Sequence, residues 1–252
     1  MDMGLRDRVA VVTGAATGIG AAIAESLAKE GCIVWVADRD GGEAERTAGD
    51  LAARDLRARS VVVDVTRPEQ VTAAISNVMR QDRRLDILVC NAGVLKTLPF
   101  RDSALEDWKE VVDVNLLGVV HCIREAVTAM AGKGGGRIVN IASVSAMRGG
   151  GSLGNTLYGT TKAGVVALTL GLAREFGPLG ITVNAIAPAV ADTRMTRATL
   201  SDEKRDRIIA RIPLGRLATP ADIADAVTFL ASDRARFISG AVLPVDGGIL
   251  TT

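Results

Sequence analysis

Short hydrophobic runs alternate along the chain with longer segments of helical spacing. Most of the runs are continuously apolar, which is typical of strands that are buried on both faces. The predicted strands are Val9–Thr13, Cys32–Asp38, Val61–Val65, Leu85–Cys90, Arg137–Ala142, Ile181–Ala187 and Ala241–Val245. Because strands and helical segments alternate repeatedly, we predict an α/β fold with a doubly wound parallel sheet of about seven strands and helices on both faces.

The segments between the runs predict helices of ordinary length. The clearest are Ile19–Lys29, a helix that opens at Pro68, Trp108–Met130, Leu157–Phe176 and Pro220–Ser232. Residues 189–213 are the long stretch without a clear strand–helix assignment, although Asp202–Arg211 is rich in charged helix formers. Segments of this kind often serve as lids, so we predict a mobile lid over 189–213.

Length and composition narrow the class of protein. The chain has 252 residues, 48% of them hydrophobic, and neither an internal repeat nor a break in composition divides it. We therefore predict a single domain over 1–252. The net charge is +1 and aromatic residues make up 3%, so the chain lacks the basic surface and stacking groups expected of partners of nucleic acid or anionic membranes.

Cysteine usage and the N-terminus favour a cytoplasmic protein. Cys32, Cys90 and Cys122 are odd in number and widely spaced, which predicts reduced, buried thiols rather than a disulfide framework or a metal site. The first apolar run, Val9–Val12, is too short for a signal peptide or a membrane span. The single histidine, His121, lies in an apolar helical segment and is interpreted as a packing or interface residue, so no metal is expected.

A glycine-rich turn follows the first predicted strand. Gly14, Thr17, Gly18, Ile19 and Gly20 lie between this strand and the first helix. Glycine lets the backbone approach a pyrophosphate, and the helix N-terminus supplies free N–H groups and the positive end of a dipole. Such a turn also occurs for packing reasons alone, so the motif needs support from its context.

Asp38 supplies part of that context at the end of the second strand, eighteen residues after the last glycine. A carboxylate at this place accepts hydrogen bonds from ribose hydroxyls and repels a 2′-phosphate, which favours NAD over NADP. The neighbouring Arg39 leaves the alternative open, because its charge would pair with a 2′-phosphate. Asp38 alternatively serves only to start the turn that follows the strand.

Tyr158 is the only tyrosine, and Lys162 follows it by four residues. Residues i and i+4 share one face of a helix. An ammonium group near a phenol stabilises the phenolate and lowers a pKa that is normally about 10, so this pair predicts an acid/base group. The alternative is a tyrosine and a lysine that merely share a surface.

Taken together, these motifs resemble the short-chain dehydrogenase/reductase family, in its form of about 250 residues. The matching segments are Thr13-Gly14 with Gly18-Ile19-Gly20, Asp64-Val65, Asn91-Ala92-Gly93, Asn115, Ile141-Ala142-Ser143, Tyr158 with Lys162, and Asp246-Gly247-Gly248. They occur in the family's order over almost the whole chain, which is far more specific than any one of them. The resemblance implies a Rossmann-type sheet and hydride transfer between a nicotinamide dinucleotide and an alcohol or ketone.

The resemblance also implies roles for single residues. It assigns Asn115, Ser143, Tyr158 and Lys162 to the catalytic centre: a water-binding residue, a hydrogen-bond donor to the substrate oxygen, the proton-exchanging group, and a lysine that holds the nicotinamide ribose and lowers the pKa of the tyrosine. It assigns cofactor contacts to the glycine turn and to Asp38, Arg39, Asp64, Val65, Asn91, Ala92, Gly93, Pro188, Ala191 and Thr193. Asp64 and Val65 would hold the adenine, Asn91 would steady the central strand, and Thr193 would contact the carboxamide.

Two departures from the family pattern affect the predicted site. The family serine usually lies 13 residues before the tyrosine, which corresponds to Ser145, whereas Ser143 directly follows the fifth strand. We choose Ser143 and place the two extra residues in the glycine-rich loop 149–152. Thr17 stands where relatives that use NADP often have a basic residue, which again favours NAD.

The substrate and the assembly are predicted more coarsely. Apolar side chains near the expected mouth suit a modest-sized secondary alcohol or ketone. They are Leu95, Leu153, Leu157, Val190 and Met195, with Arg148 and Arg194 as nearby cations. The chain is also similar to 3-oxoacyl-carrier-protein reductases, so a reductase of acyl thioesters is the alternative, and a non-catalytic dinucleotide-binding protein is a second one. The two long apolar helices and the resemblance predict a homotetramer.

Overall fold

The computed structural model describes residues 2–150 and 156–251, and within them the strands form one seven-stranded parallel sheet. The strands are β1 (Val9–Thr13), β2 (Ile33–Asp38), β3 (Ala58–Val62), β4 (Ile87–Cys90), β5 (Gly136–Ile141), β6 (Ile181–Pro188) and β7 (Val242–Val245). Their spatial order is β3-β2-β1-β4-β5-β6-β7. The predicted doubly wound α/β fold is confirmed.

Helices occupy the segments between the strands. They are α1 (Gly18–Lys29), α2 (Gly41–Ala52), α3 (Pro68–Asp82), α4 (Leu105–Val112), α5 (Gly118–Met130), α6 (Ser145–Arg148), α7 (Thr156–Phe176), α8 (Arg194–Thr199), α9 (Asp202–Ile209) and α10 (Pro220–Ala231). A π-helical turn, Asp113–Leu117, joins α4 to α5. The helix predicted over Trp108–Met130 therefore begins three residues earlier and contains this turn.

Each face of the sheet carries its own apolar core. Ile23 of α1 and Val227 of α10 pack against one face, together with Val12 of β1. Ile123 of α5 and Val165 of α7 belong to the core on the other face. Burial on both faces explains why most strands are continuously apolar in sequence.

The third strand lies three residues earlier than predicted, at Ala58–Val62 rather than Val61–Val65. It is the edge strand of the sheet, and its residues alternate between exposed and half-buried. The apolar run continues beyond the strand because Val63 and Val65 are buried in the loop that follows. The hydrophobic run therefore indicated burial rather than strand pairing at this place.

The predicted lid segment 189–213 folds into α8 and α9 with short connections. Ile208 and Ile212 pack into a small cluster with Val144, Leu217 and Ile249, beside the carboxyl ends of the central strands. Helix α9 confirms that the charged stretch Asp202–Arg211 is helical as far as Ile209. Movement of the whole segment 189–213 stays a prediction.

The cysteines and the helix lengths agree with the sequence-based expectations. Cys32, Cys90 and Cys122 are all buried with free thiols. Within residues 2–150 and 156–251, none of the helices has the length and apolar character needed to cross a membrane.

Candidate active site

A cleft with a volume of about 420 Å³ opens at the carboxyl ends of the strands. It lies where the strand order reverses between β1 and β4, which is the usual ligand site of an open parallel sheet. Among the predicted residues that line it are Gly14, Thr17, Gly18, Ile19, Gly20, Asp38, Arg39, Asp64, Val65, Asn91, Ala92, Gly93, Ser143, Tyr158, Lys162, Pro188, Ala191 and Thr193. Asn115 lies behind the cleft wall.

The turn between β1 and α1 requires glycine at several positions. Gly14 and Gly18 have φ values of +62° and +60°, in the left-handed region. At Gly20 a Cβ atom would lie 2.2 Å from the Gly14 carbonyl oxygen and 2.5 Å from Asn91 Nδ2. The glycines thus keep the backbone close to the cleft and let α1 pack tightly against the end of β1.

The N-terminus of α1 points an unfilled set of N–H groups toward the cleft. Thr17 is the N-cap residue, yet its side chain makes no capping hydrogen bond, and the first turn carries no acidic residue. Both features leave the positive end of the helix dipole free for an anion. A glycine cradle with an open helix N-terminus fits a dinucleotide diphosphate.

Asn91 connects the end of β4 to the glycine turn. Its Nδ2 donates to the carbonyl oxygens of Thr13 and Gly14 at 3.0 and 2.8 Å. In return the Thr13 hydroxyl accepts the N–H groups of Asn91 and Ala92. These bonds connect the loops after β1 and β4, while the role of Asn91 beside the cofactor stays a prediction.

Asp38 ends β2 with its carboxylate beside the glycine turn. One oxygen accepts the Ala16 N–H at 3.1 Å and the other accepts the Asp40 N–H at 3.1 Å. The carboxylate therefore orients the turn and also faces the cleft. The Arg39 side chain lines the same part of the cleft, so the sequence ambiguity between these two neighbours persists in the structure.

Asp64 and Val65 follow β3 and form the far end of the cleft. The pKa of Asp64 is lowered: burial raises it, but hydrogen bonds from Thr66 and the positive charges of Arg39 and Arg67 outweigh burial. His121 Nδ1 donates to the Val65 carbonyl oxygen at 2.9 Å. The predicted packing role of His121 is thus met on α5, where it holds this loop in place.

Asn115 lies within the π-helical turn and is fully buried. Its Oδ1 accepts the Val94 N–H at 2.8 Å, and its Nδ2 donates to the Val94 carbonyl at 2.9 Å. Both ends of the amide therefore pin the loop after β4, next to Gly93. The water-binding role implied by the family resemblance stays a prediction, while the side chain itself holds the cleft wall.

Ser143, Tyr158 and Lys162 meet at the inner end of the cleft. A hydrogen bond joins the side chains of Ser143 and Tyr158. Lys162 Nζ lies 5.7 Å from the centroid of the tyrosine ring and donates to the Ile141 carbonyl at 2.7 Å. Ser143, rather than Ser145, is thus the serine on the tyrosine, and it also accepts the Ser145 N–H at 3.1 Å.

The expected lowering of the tyrosine pKa is not found in the protein alone. Burial raises the pKa of Tyr158 to about 12, although the hydrogen bond with Ser143 acts in the opposite direction. Burial also lowers the pKa of Lys162 to about 8. The prediction was wrong for the ligand-free protein because burial disfavours the charged forms of both groups.

The outer half of the cleft has apolar walls and two arginines. Val94, Leu95, Val144, Val190 and Ile249 line it, together with Arg148 and Arg194. Leu157 is buried in the fold and does not line the cleft, which corrects its expected position. Leu153 and the side chain of Met195 lie outside the described residues.

Sequence reasoning missed Ile249, which comes from the C-terminal segment. Its carbonyl accepts Arg148 Nη1 at 3.1 Å, a contact between residues 101 positions apart. The Asp246-Gly247-Gly248 motif directly before it was the available signal, but spacing alone does not tell where the chain returns. In the described part of the chain, no cluster of three or more potential metal ligands occurs.

Comparisons with known proteins find relatives that match nearly the whole chain. The profile of the family described as Enoyl-(Acyl carrier protein) reductase matches residues 14–250. The chain is 38% identical over 250 residues to the 3-oxoacyl-[acyl-carrier-protein] reductase of Aquifex aeolicus, covering 99% of this chain and 100% of that protein. It is 41% identical over 243 residues to the cis-4-hydroxycyclohexanecarboxylate dehydrogenase of Sinomonas cyclohexanicum, covering 96% of each.

A solved structure shares the whole architecture. The crystal structure of a gluconate 5-dehydrogenase from Burkholderia cenocepacia J2315, in complex with NADP and tartrate, has a TM-score of 0.94 and 32% identity, and covers 100% of this chain and 98% of that one. The chain belongs to the short-chain dehydrogenase/reductase family and is an oxidoreductase of the nicotinamide-dinucleotide type.

Proposed function

We propose that this protein transfers a hydride between NAD(H) and a secondary alcohol or ketone, with Tyr158 as the proton-exchanging group. The observation that carries the proposal is the meeting of Ser143, Tyr158 and Lys162 at the inner end of a dinucleotide-shaped cleft. The nicotinamide, when bound, accepts or supplies the hydride, and its oxidised ring adds a positive charge to the site.

The chain's own residues would position the alcohol and move its proton. Ser143 donates a hydrogen bond to the substrate oxygen, and Tyr158 exchanges a proton with that oxygen as charge develops on it. Lys162, held by the Ile141 carbonyl, supplies a buried positive charge that favours the phenolate form of Tyr158. The positive charge of the oxidised nicotinamide would act in the same direction. The apolar walls exclude water around the reacting carbon.

The substitution Tyr158→Phe tests this assignment. Turnover of a panel of secondary alcohols, followed by NADH absorbance, should fall by about 10³-fold or more, since the general acid/base is removed. NADH binding, followed by its fluorescence, should stay within a few-fold of the wild type. Equal turnover in the variant would contradict the proposed role and would favour the non-catalytic alternative.

The preference for NAD over NADP is part of the proposal. It is supported by the Asp38 carboxylate, which faces the cleft at the end of β2 and would repel a 2′-phosphate. In Asp38→Asn, the ratio of kcat/KM with NAD to that with NADP should fall by about tenfold or more, with Arg39→Gln as the control for the neighbouring cation. A wild-type enzyme that prefers NADP would overturn this part.

Reduction of 3-oxoacyl thioesters is the second candidate, and it is favoured by the similarity to acyl-carrier-protein reductases over nearly the whole chain. The same protein should be assayed with an acetoacetyl thioester and NADH or NADPH. A kcat/KM for the thioester above that for every simple alcohol or ketone would select this candidate.

A further inference from the structure

The charges that line the cleft are divided between its two ends. Asp38, which ends β2, and Asp64, which follows β3, are the acidic residues of the lining, and Arg39 lies beside them where the adenosine part of a dinucleotide is expected. Around the inner end and the mouth the charged residues are Lys162, Arg148 and Arg194. Among the described residues, no carboxylate lines this half of the cleft.

Arg148 is half-buried at the end of α6, five residues after Ser143. Its Nη1 donates to the Ile249 carbonyl at 3.1 Å, and within residues 2–150 and 156–251 no Asp or Glu forms an ion pair with it. Arg216, by contrast, is held by Asp222 through two bonds. A half-buried guanidinium that keeps donors unused beside a cleft is suited to an anionic ligand.

The C-terminal segment fixes the orientation of this arginine. Asp246 accepts the N–H groups of Gly248 and Leu250 at 2.9 and 3.0 Å, so its carboxylate folds the segment and does not neutralise Arg148. Ile249 packs against Val144 in the small cluster under the lid segment. The carbonyl that holds Arg148 is therefore itself held rigidly.

We propose that the substrate carries a carboxylate and that Arg148 binds it at the mouth of the cleft. This inference rests on the proposed function, because the alcohol carbon must lie at Ser143 and Tyr158. Val94 and Val190 are among the apolar residues that line the same cleft as that pair and the arginine. The substrate is thus a hydroxy acid or oxo acid with an apolar body between its two polar ends, and the planar guanidinium receives the carboxylate with paired hydrogen bonds.

Arg194 does not receive this assignment. It is an exposed residue at the start of α8, directly after Thr193, the residue predicted to contact the nicotinamide. Among the described residues, no hydrogen bond or ion pair holds its guanidinium, and the side chain is exposed. Arg148, by contrast, is half-buried and held by the Ile249 carbonyl.

The test uses paired substrates that differ only in charge. With NAD, the wild-type kcat/KM should favour 4-hydroxycyclohexanecarboxylate over its carboxamide by about 10- to 100-fold, the range for hydrogen bonds to charged groups. Arg148→Gln should reduce this preference to about threefold or less, mainly through the KM of the acid, and Arg148→Lys should retain part of it. Arg101→Gln removes a cation that lies outside the cleft and should keep the preference.

A binding measurement separates this inference from the proposed reaction. Calorimetry with the protein and NAD should show cyclohexanecarboxylate binding at least tenfold more tightly than cyclohexanecarboxamide, and Arg148→Gln should abolish the difference. Discrimination in binding without turnover of either alcohol would remove the proposed reaction and leave the anion site. Turnover without any preference for the acid would overturn the anion site alone. If Arg148→Gln no longer reduced acetoacetyl-CoA but kept the wild-type kcat/KM for the hydroxy acid, the arginine would bind a phosphate of that substrate. The proposed carboxylate site would then be wrong.

Discussion

At the scale of single residues, burial disfavours the charged forms of both Tyr158 and Lys162. Lys162 is 4% exposed, and its ammonium has a backbone carbonyl rather than a carboxylate as its partner. A buried ammonium without a carboxylate partner destabilises the folded protein when no cofactor is bound. The negative charge of a Tyr158 phenolate would offset this loss of stability.

Replacing this lysine should change the pH dependence of folding. Because burial lowers the pKa of Lys162 to about 8, the unfolded chain binds more protons at this site between about pH 8 and pH 10.5. The wild-type free energy of unfolding should therefore rise with pH in that window, relative to Lys162→Met, by up to about 1.4 kcal/mol per pH unit. At pH 7 the variant should be more stable by about 3 kcal/mol, which corresponds to this lowering of the pKa.

Urea unfolding without cofactor, at intervals from pH 7 to pH 9.5, measures this difference. Burial raises the pKa of Tyr158 to about 12, so its titration falls above the window. Burial raises the pKa of all three thiols, and loss of the lysine charge raises the pKa of Cys90 further, so the thiols of both folded proteins titrate above the window and the unfolded chains contribute equally. A difference between the two proteins that does not change with pH would contradict the burial of a charged lysine.

At the scale of elements, the turn between β1 and α1 combines binding with packing. Gly20 touches the Gly14 carbonyl and the Asn91 amide, so the first helix and two central loops share one tight contact. The cleft depends on this contact because the open N-terminus of α1 forms part of its wall.

Gly20→Ala should therefore disturb both stability and cofactor binding. A Cβ atom has no space there, and we expect a loss of about 3 kcal/mol in the free energy of unfolding and at least a tenfold weaker affinity for NADH. Gly49→Ala is the matched control, since a Cβ atom on the exposed side of α2 would meet nothing within 4 Å. It should raise the free energy of unfolding by about 0.5–1 kcal/mol and leave affinity unchanged. Equal stability of the two variants would contradict the packing argument.

The elements also show which parts of the secondary structure can be predicted from hydrophobic periodicity. The buried central strands were predicted closely because both faces demand apolar residues. Helix α2 was not predicted, since it opens with Gly41 and Gly42 and buries few side chains, Ala44, Ala48 and Leu51. The π-helical turn around Asn115 carries no distinctive pattern, because its shape follows from the contact of that amide with the loop after β4.

At the scale of the whole molecule, large apolar side chains remain exposed at several places, including one surface on α7 and one near the C-terminal edge strand. Leu170 lies on α7, Phe229 on α10, Leu243 on β7, and Phe237 in the connection between α10 and β7. Phe237 is fully exposed, and β7 is an unpaired edge of the sheet. Surfaces of this kind commonly mark subunit contacts, which supports the homotetramer as a proposal.

Light scattering should therefore give a mass about four times the 26.2 kDa of one chain. Leu170→Glu and Phe237→Asp, on the two surfaces, should each reduce the mass, because a charge cannot be buried in an apolar contact. Val62→Asn alters an exposed apolar residue at the opposite edge of the sheet and should leave the mass unchanged. A wild-type mass near that of a single chain would contradict the assembly.

The local sequence determined those features that depend on neighbours along the chain. Strand periodicity, the glycine turn and the helical spacing of Tyr158 and Lys162 follow from the geometry of a few consecutive residues. Only the tertiary structure decided the direction of the pKa shifts of that pair and the hydrogen bond between Arg148 and Ile249, and it joins Ser143, which the sequence had already singled out, to Tyr158. These depend on burial and on contacts between distant segments, because desolvation acts through everything packed around a group and not through its position in the chain.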